Sequence, residues 1–240
     1  MKKWFYLILF FPVVVACQKD LKDDRKPMEV NVSFRPVSGN EPLEFGKTYI
    51  NALGEDLTVT TFKFYLHNIR IGNYTLGNED HYLADFNASP VFTVSGVVPE
   101  SRYTEMSFII GVDSVRNFSG AQTGALDPLH GMFWTWNSGY IMAKLEGHSS
   151  FASTPGNMVE YHIGGFSGEQ NVIKKITLPL PAYTPQPGQP LSITVNADIM
   201  KWFGGESNIS IAENPVCMTP GELAVKIAGN YYNMFSIETE

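Results

Sequence analysis

The sequence predicts an all-β fold: a single antiparallel β-sandwich of about nine or more strands, with one or two short peripheral helices. Three observations carry this. Segments of alternating or β-branched character recur along the chain, turn-forming residues interrupt them at short intervals, and helix-start signals are confined to two short stretches near the C-terminus.

The N-terminus stands apart from the fold. Met1-Lys2-Lys3, a mostly apolar run from Trp4 to Val15, and Ala16 before Cys17 form a basic n-region, a short h-region and a processing site, so residues 1–16 are expected to be a signal peptide. The apolar run falls short of the roughly 20 residues that a spanning helix needs. A cysteine at the first mature position resembles the bacterial lipobox, which makes Cys17 the expected lipidation site, bearing palmitate or a similar chain. Gln18 at the next position resembles lipoproteins sent on to the outer membrane. Residues 17–28 are expected to be the lipidated cysteine and a polar tether, since Lys19 to Pro27 holds too little apolar surface to bury. The Lys-Asp content of this stretch resembles the surface-export signals of Bacteroidetes lipoproteins. The expected location is a lipid anchor in the outer membrane, on its periplasmic or cell-surface face.

Residues 29–240 are expected to form one domain. Glu29 to Phe34 alternates, with Val30, Val32 and Phe34 on one face. Residues 36–42 read as a turn-rich connection. Leu57 to Leu66 is dense in β-branched and aromatic residues without a breaker and reads as a strand from the middle of a sheet, with 67–71 continuing it after a bend. Short strands follow at 81–86 and 91–94, and 102–111 alternates as a half-buried strand. Asp113 to His130 is a long connection, of a length that in a compact domain has a function or folds as an Ω-loop. It leads into Gly131 to Gly147, read as a strand, a Gly-marked bulge and a second strand. Further strands are expected at 159–163, 172–178 and 191–197, while the prolines of 179–190 belong outside any sheet. Of the two helix signals, one has Asp198 as cap of a one- or two-turn helix. The other has Thr219 as cap, Pro220 in the first turn, Glu222 three residues after the cap, and Gly229 or Asn230 as the end.

Charge and cysteine content exclude some classes of function. The formal net charge is -7, more negative still once Lys2 and Lys3 leave with the signal, and no basic patch appears, so no nucleic-acid partner is expected. The two cysteines are Cys17, committed to lipid, and Cys217, which is therefore a free thiol and reads first as a small buried hydrophobe. No phosphate-cradling loop, zinc-protease helix or nucleophile elbow is present, and the carboxylates read as solvent-facing, so the chain is not expected to be an enzyme. The histidines are His67, His81, His130, His148 and His162. No two have the spacing of a short metal motif, so a site requires the fold to gather them. Trp134 and Trp136 share one strand face. They fill a sandwich interior or, beside Met132 and His130, make a soft-metal or oxidisable environment.

An ordered series of segments resembles the MbnP-like family, copper-associated periplasmic or surface proteins named for the partner protein of methanobactin systems. The matching residues are Phe64-Tyr65-Leu66-His67-Asn68-Ile69, Tyr82-Leu83-Ala84-Asp85, Phe108 to Asn117, Gly124 to Pro128, Gly131-Met132-Phe133-Trp134-Thr135-Trp136-Asn137-Ser138-Gly139-Tyr140, Lys144 to Gly147, His162-Ile163-Gly164-Gly165 and Asn230 to Phe235. The resemblance implies copper held by histidine with help from a tryptophan that a dihaem peroxidase-like partner oxidises to kynurenine. It implies His162 as the histidine ligand and Trp134 or Trp136 as the modified residue. His81 and His130 complete the candidate metal set, while Met132, Tyr140, Asp113, Asn117 and Asp127 are expected to serve structure and packing. Many family members pair cysteines within the domain, whereas this chain has Cys217 in Pro215-Val216-Cys217-Met218. The competing expectation is a non-catalytic lipoprotein without metal, which binds carbohydrate or peptide through an aromatic groove or serves an outer-membrane transporter.

Overall fold

The computed structural model describes residues 25–135, 139–186 and 188–238. The expected signal peptide, Cys17, most of the tether and Trp136 lie outside the described residues. The strands are β1 (Pro27–Ser38), β2 (Glu41–Pro42), β3 (Thr48–Ile50), β4 (Asp56–Ile71), β5 (Tyr74–Thr75), β6 (His81–Asp85), β7 (Phe92–Pro99) and β8 (Glu105–Ile110). They continue with β9 (Phe133–Trp134), β10 (Gly139–His148), β11 (Met158–Gly164), β12 (Lys174–Pro179), β13 (Leu191–Asp198), β14 (Val216–Cys217) and β15 (Phe235–Ile237). Two α-helices accompany them among the described residues, α1 (Ser114–Phe118) and α2 (Glu222–Tyr232), and neither is long and apolar enough to cross a membrane.

The strands form two sheets, the all-β architecture that the alternating pattern predicts. One sheet runs β15-β13-β1, with β7 and β2 on the far side of β1; the other runs β12-β8-β4-β10-β11-β14, with β3, β5 and β6 along β4 and β9 on β10. The inner faces meet through aromatic rings. Phe34 and Phe235 of the first sheet pack edge-on against Phe108 of the second, at 5.1 and 4.9 Å, and Phe64 meets Phe235 at 5.6 Å. Full burial of such a side chain contributes about 1.5–3 kcal/mol, and each edge-to-face pair about 0.5–1.5 kcal/mol more.

Strand direction is mixed rather than antiparallel throughout. β1 runs parallel to β13, and β11 parallel to β14. Each of these pairs is joined by long intervening chain rather than by a hairpin, so no tight turn imposes the antiparallel sense. β1 also runs on to Ser38, through the segment expected to turn at Pro36. β7 ends its pairing opposite Phe34, and beyond it Pro36 takes part only as an acceptor, its carbonyl receiving the N–H of Leu43, so the missing proline N–H is tolerated.

β4 positions the site. Its inward residues change phase twice: Leu57 and Val59, then Phe62, Phe64 and Leu66, then Ile69 and Ile71. Each change is an extra residue. Thr60 stands unpaired where Thr61 faces Glu146 and Val59 faces Gly147. Asn68, with φ of 49°, falls inside the shift between His67 and Arg70. Between these bulges Thr61, Lys63, Tyr65 and His67 point away from the sandwich interior. Leu66 pairs with Tyr82 of β6 on one edge and Ile110 of β8 on the other.

The connection expected from Asp113 to His130 lies over that outer face, pinned by two buried side chains. Asn117 of α1 donates to the carbonyls of Val112 and Asp113 and accepts from the N–H of Tyr140. The Tyr140 hydroxyl accepts from Gln122 N–H and lies 3.0 Å from the Leu126 carbonyl. Asp113 caps α1 through the N–H of Arg116, and Asp127 caps the next turn through the N–H of Leu129. Met132 is fully buried.

The C-terminal helix starts later than Thr219 and ends later than Gly229. Gly221 occupies the N-cap of α2, and its carbonyl accepts from Val225 N–H. The helix continues because Asn230 and Tyr231 belong to the core: Asn230 bonds the Trp202 and Ser207 carbonyls, and Tyr231 bonds that of Val172. Asp198 does cap a short 3-10 turn, Ile199–Trp202, through the N–H of Met200.

Candidate metal centre

Adjacent strands β10 and β11 place a histidine and two carboxylates together. Lys144 lies opposite His162, and Glu146 opposite Glu160. These residues share one sheet face, so their side chains meet directly and diagonally. The ligand atoms of Glu146, Glu160 and His162 lie within 4.8 Å of one another. His162 is buried, and its Nε2 stands 2.6 Å from Glu146 Oε1. Lys144 Nζ is 3.5 Å from the same oxygen and donates to the Gly131 carbonyl at 2.6 Å, which ties the long connection to the cluster. The hydrogen bond from His162, helped by Thr61 and the Lys144 charge and opposed by burial, holds the Glu146 carboxyl down at about 2. That group is ionised at neutral pH.

Trp134 flanks this cluster. It pairs with Gly139 in a hairpin and is buried, with its six-membered ring laid on Gly164; a Cβ there would come within 2.4 Å of Cζ3. Gly164 is two residues from His162 on β11, so the indole covers the strand face that carries His162. The absence of a side chain at Gly164 is what lets the ring lie so close.

The other candidates lie elsewhere. His130 is exposed, and its Nε2 is 3.0 Å from the Gly124 carbonyl within its own loop. His148 is exposed, with Nδ1 3.1 Å from the Gly156 carbonyl. His81 is on β6, on the edge of β4 away from β10, roughly 14 Å from β11 by strand spacing alone. It is buried against His67, a residue not singled out as a ligand from the sequence. Cys217 is buried beside Tyr161, and burial pushes its thiol up to about 11, so at neutral pH it is a small hydrophobe and not a thiolate ligand. Glu146 and Glu160, read from sequence as ordinary surface carboxylates, form the group with His162. Their chemistry depends on strand register, which no local pattern announces.

One imidazole and two carboxylates make a borderline nitrogen and hard oxygen set that suits a first-row divalent ion, with copper(II) at the top of the affinity order. The donors present therefore fit copper in its divalent form.

A two-layer β protein with a histidine–carboxylate cluster under a buried indole is the class that fold and site define. The MbnP family model matches residues 27–219, and the chain belongs to that family. The fold is similar to that of MbnP from Methylosinus trichosporium, with a TM-score of 0.53 and 15% identity, over 88% of this chain and 98% of that one. Among curated proteins none matches this sequence.

Proposed function

We propose that this chain is a copper-binding lipoprotein of the outer membrane, anchored through Cys17 and without catalysis of its own. It belongs in a methanobactin-related setting by its family. The observation that carries the reading is the packing of Trp134 on Gly164, on the strand face that bears His162 and beside the two carboxylates. His162, Glu146 and Glu160 would hold the ion. Bound copper would supply a borderline acceptor for nitrogen and oxygen donors. A dihaem peroxidase-like partner, with two equivalents of hydrogen peroxide as the oxidant, would convert Trp134 or Trp136 to kynurenine, the indole C2 leaving as formate, and expose an aromatic amine as a further nitrogen donor. An outer-membrane transporter is the other partner this setting suggests.

The test is copper retained after gel filtration by the mature chain co-expressed with its native partner, in a His67→Ala, His81→Ala background that removes the second imidazole pair. His162→Ala is expected to lower retained copper at least tenfold, with the tryptophan mass change intact. Equal copper with and without His162 contradicts the proposal. A second reading, a metal-free module that binds peptide or carbohydrate, is favoured by Phe118 and Leu129, 76% and 92% exposed on the long connection. It requires ligand binding that chelators leave unchanged.

A further inference from the structure

Lys144 Nζ stands 3.5 Å from Glu146 Oε1, the oxygen that also lies 2.6 Å from His162 Nε2. Lys144 is the cross-strand partner of His162 on one side and of Lys63 on the other. Lys63 is held by Asp85 at 2.8 Å, so among the described residues Lys144 is the lysine that serves Glu146. Its side chain is 12% exposed, and its ammonium donates to the Gly131 carbonyl at 2.6 Å.

Both partners are needed to keep that charge in place. A poorly hydrated ammonium is stable only while a counter-charge and hydrogen-bond acceptors replace its lost water. Glu146 supplies the charge and Gly131 the acceptor. Gly131 ends the Pro128–His130 turn with a left-handed φ of 69° and stands three residues before Trp134. The Lys144 bond therefore fastens the long connection at the base of the hairpin that carries the indole.

The cluster draws on the same carboxylate. The ligand atoms of Glu146, Glu160 and His162 lie within 4.8 Å of one another, so a divalent cation shared among them would neutralise Glu146 and set a like charge beside Lys144. Lys144 would then keep a neutral carbonyl as its partner, and its flexible four-carbon stem can carry the ammonium out into water.

The geometry points to Lys144 as a positioning residue that fastens the long connection at Gly131 and releases it when a divalent cation engages Glu146. The release rests on the copper reading above; the fastening does not. Occupancy of the cluster would loosen the segment that leads into Trp134, so cation uptake and access to the indole are coupled through one side chain.

The experiment compares the full mature chain with its Lys144→Leu, Lys144→Arg and His162→Ala variants, each with and without saturating copper(II) chloride. Hydrogen exchange at residues 129–131, whose N–H groups close the turns before Trp134, is read by mass spectrometry against residues 30–37 of β1, and copper affinity by equilibrium dialysis. Without copper, Lys144→Leu should exchange at least about threefold faster at 129–131 with β1 unchanged, while Lys144→Arg keeps the protection. Copper should speed exchange at 129–131 in the unsubstituted chain and add nothing in Lys144→Leu or His162→Ala. Lys144→Leu should also bind copper about three- to tenfold more tightly, which loss of a merely space-filling side chain would not produce. The proposal is overturned if Lys144→Leu leaves metal-free exchange unchanged, or if the unsubstituted chain binds copper without faster exchange at 129–131. Failure of the unsubstituted chain to retain copper would instead sink the copper reading and the release with it, while the metal-free comparison decides the fastening. Should Lys144→Leu fail to fold, the copper response of the unsubstituted chain against His162→Ala decides.

Discussion

Glu55 shows what this fold requires of a buried charge. It is 4% exposed and accepts from Asn51 Nδ2, Ser210 Oγ and the N–H groups of Ile211 and Ala212, at 2.8 to 3.1 Å. Burial alone would raise its pKa, yet these bonds together outweigh burial and lower it. Because the native value lies below the unfolded one of about 4.3, the stabilisation is complete above that pH and is lost as pH falls towards the native value. Glu55→Gln should cost about 1–3 kcal/mol in urea melts at pH 7 and flatten the acid limb of the stability curve; an unchanged acid limb would refute this role. Cys217 makes the opposite case. Its thiol, raised by burial, should react with a thiol-specific reagent only after denaturant is added, and rapid labelling of the native chain would contradict its placement. At this scale the sequence reveals residue type but not neighbours. His162 is legible as a histidine in a strand, while its partners Glu146 and Glu160 are indistinguishable from surface carboxylates until the register is known. His81 and His67 read as unrelated for the same reason.

At the scale of elements, the close fit of β9 against β11 is the most exposed to substitution. Gly164→Ala would drive a methyl group into the Trp134 ring, since Cζ3 and Cη2 lie 2.4 and 2.5 Å from that position. A stability loss of about 1–3 kcal/mol is expected, with a red shift of tryptophan emission as the indole leaves its site; an unshifted spectrum would show that Trp134 does not rest there. Most strands were legible because alternation survives in them: β1, β8, β11 and β13 sit close to where their pattern predicts. β4 was legible as a strand but not in its faces. The extra residues Thr60 and Asn68 reverse the inward side twice, and a bulge of that kind is set by the neighbouring strand. Gly229 looks like a helix stop, but α2 continues past it because the Asn230 and Tyr231 side chains are held by bonds to three carbonyls from distant segments.

For the whole molecule, the decisive pairing is β1 with β13, Val30 against Leu191, which closes the first sheet only after most of the chain exists. Such non-local contacts make folding slow, so refolding from urea is expected in the range of milliseconds to seconds or longer, and a microsecond phase that recovers all native signal would be inconsistent with this topology. Two stacked sheets were legible from strand count and turn spacing. The parallel pairings were not, because nothing within a strand records which distant strand it joins. The same topology brings His162, Glu146, Glu160 and Trp134 to one outer face, and the copper reading rests on that convergence. Its most direct test is to titrate copper(II) into the full mature chain and watch the histidine-ring NMR signals. The first equivalent should broaden or shift His162 while His148 stays sharp; a His162 signal unchanged at saturation would contradict the account.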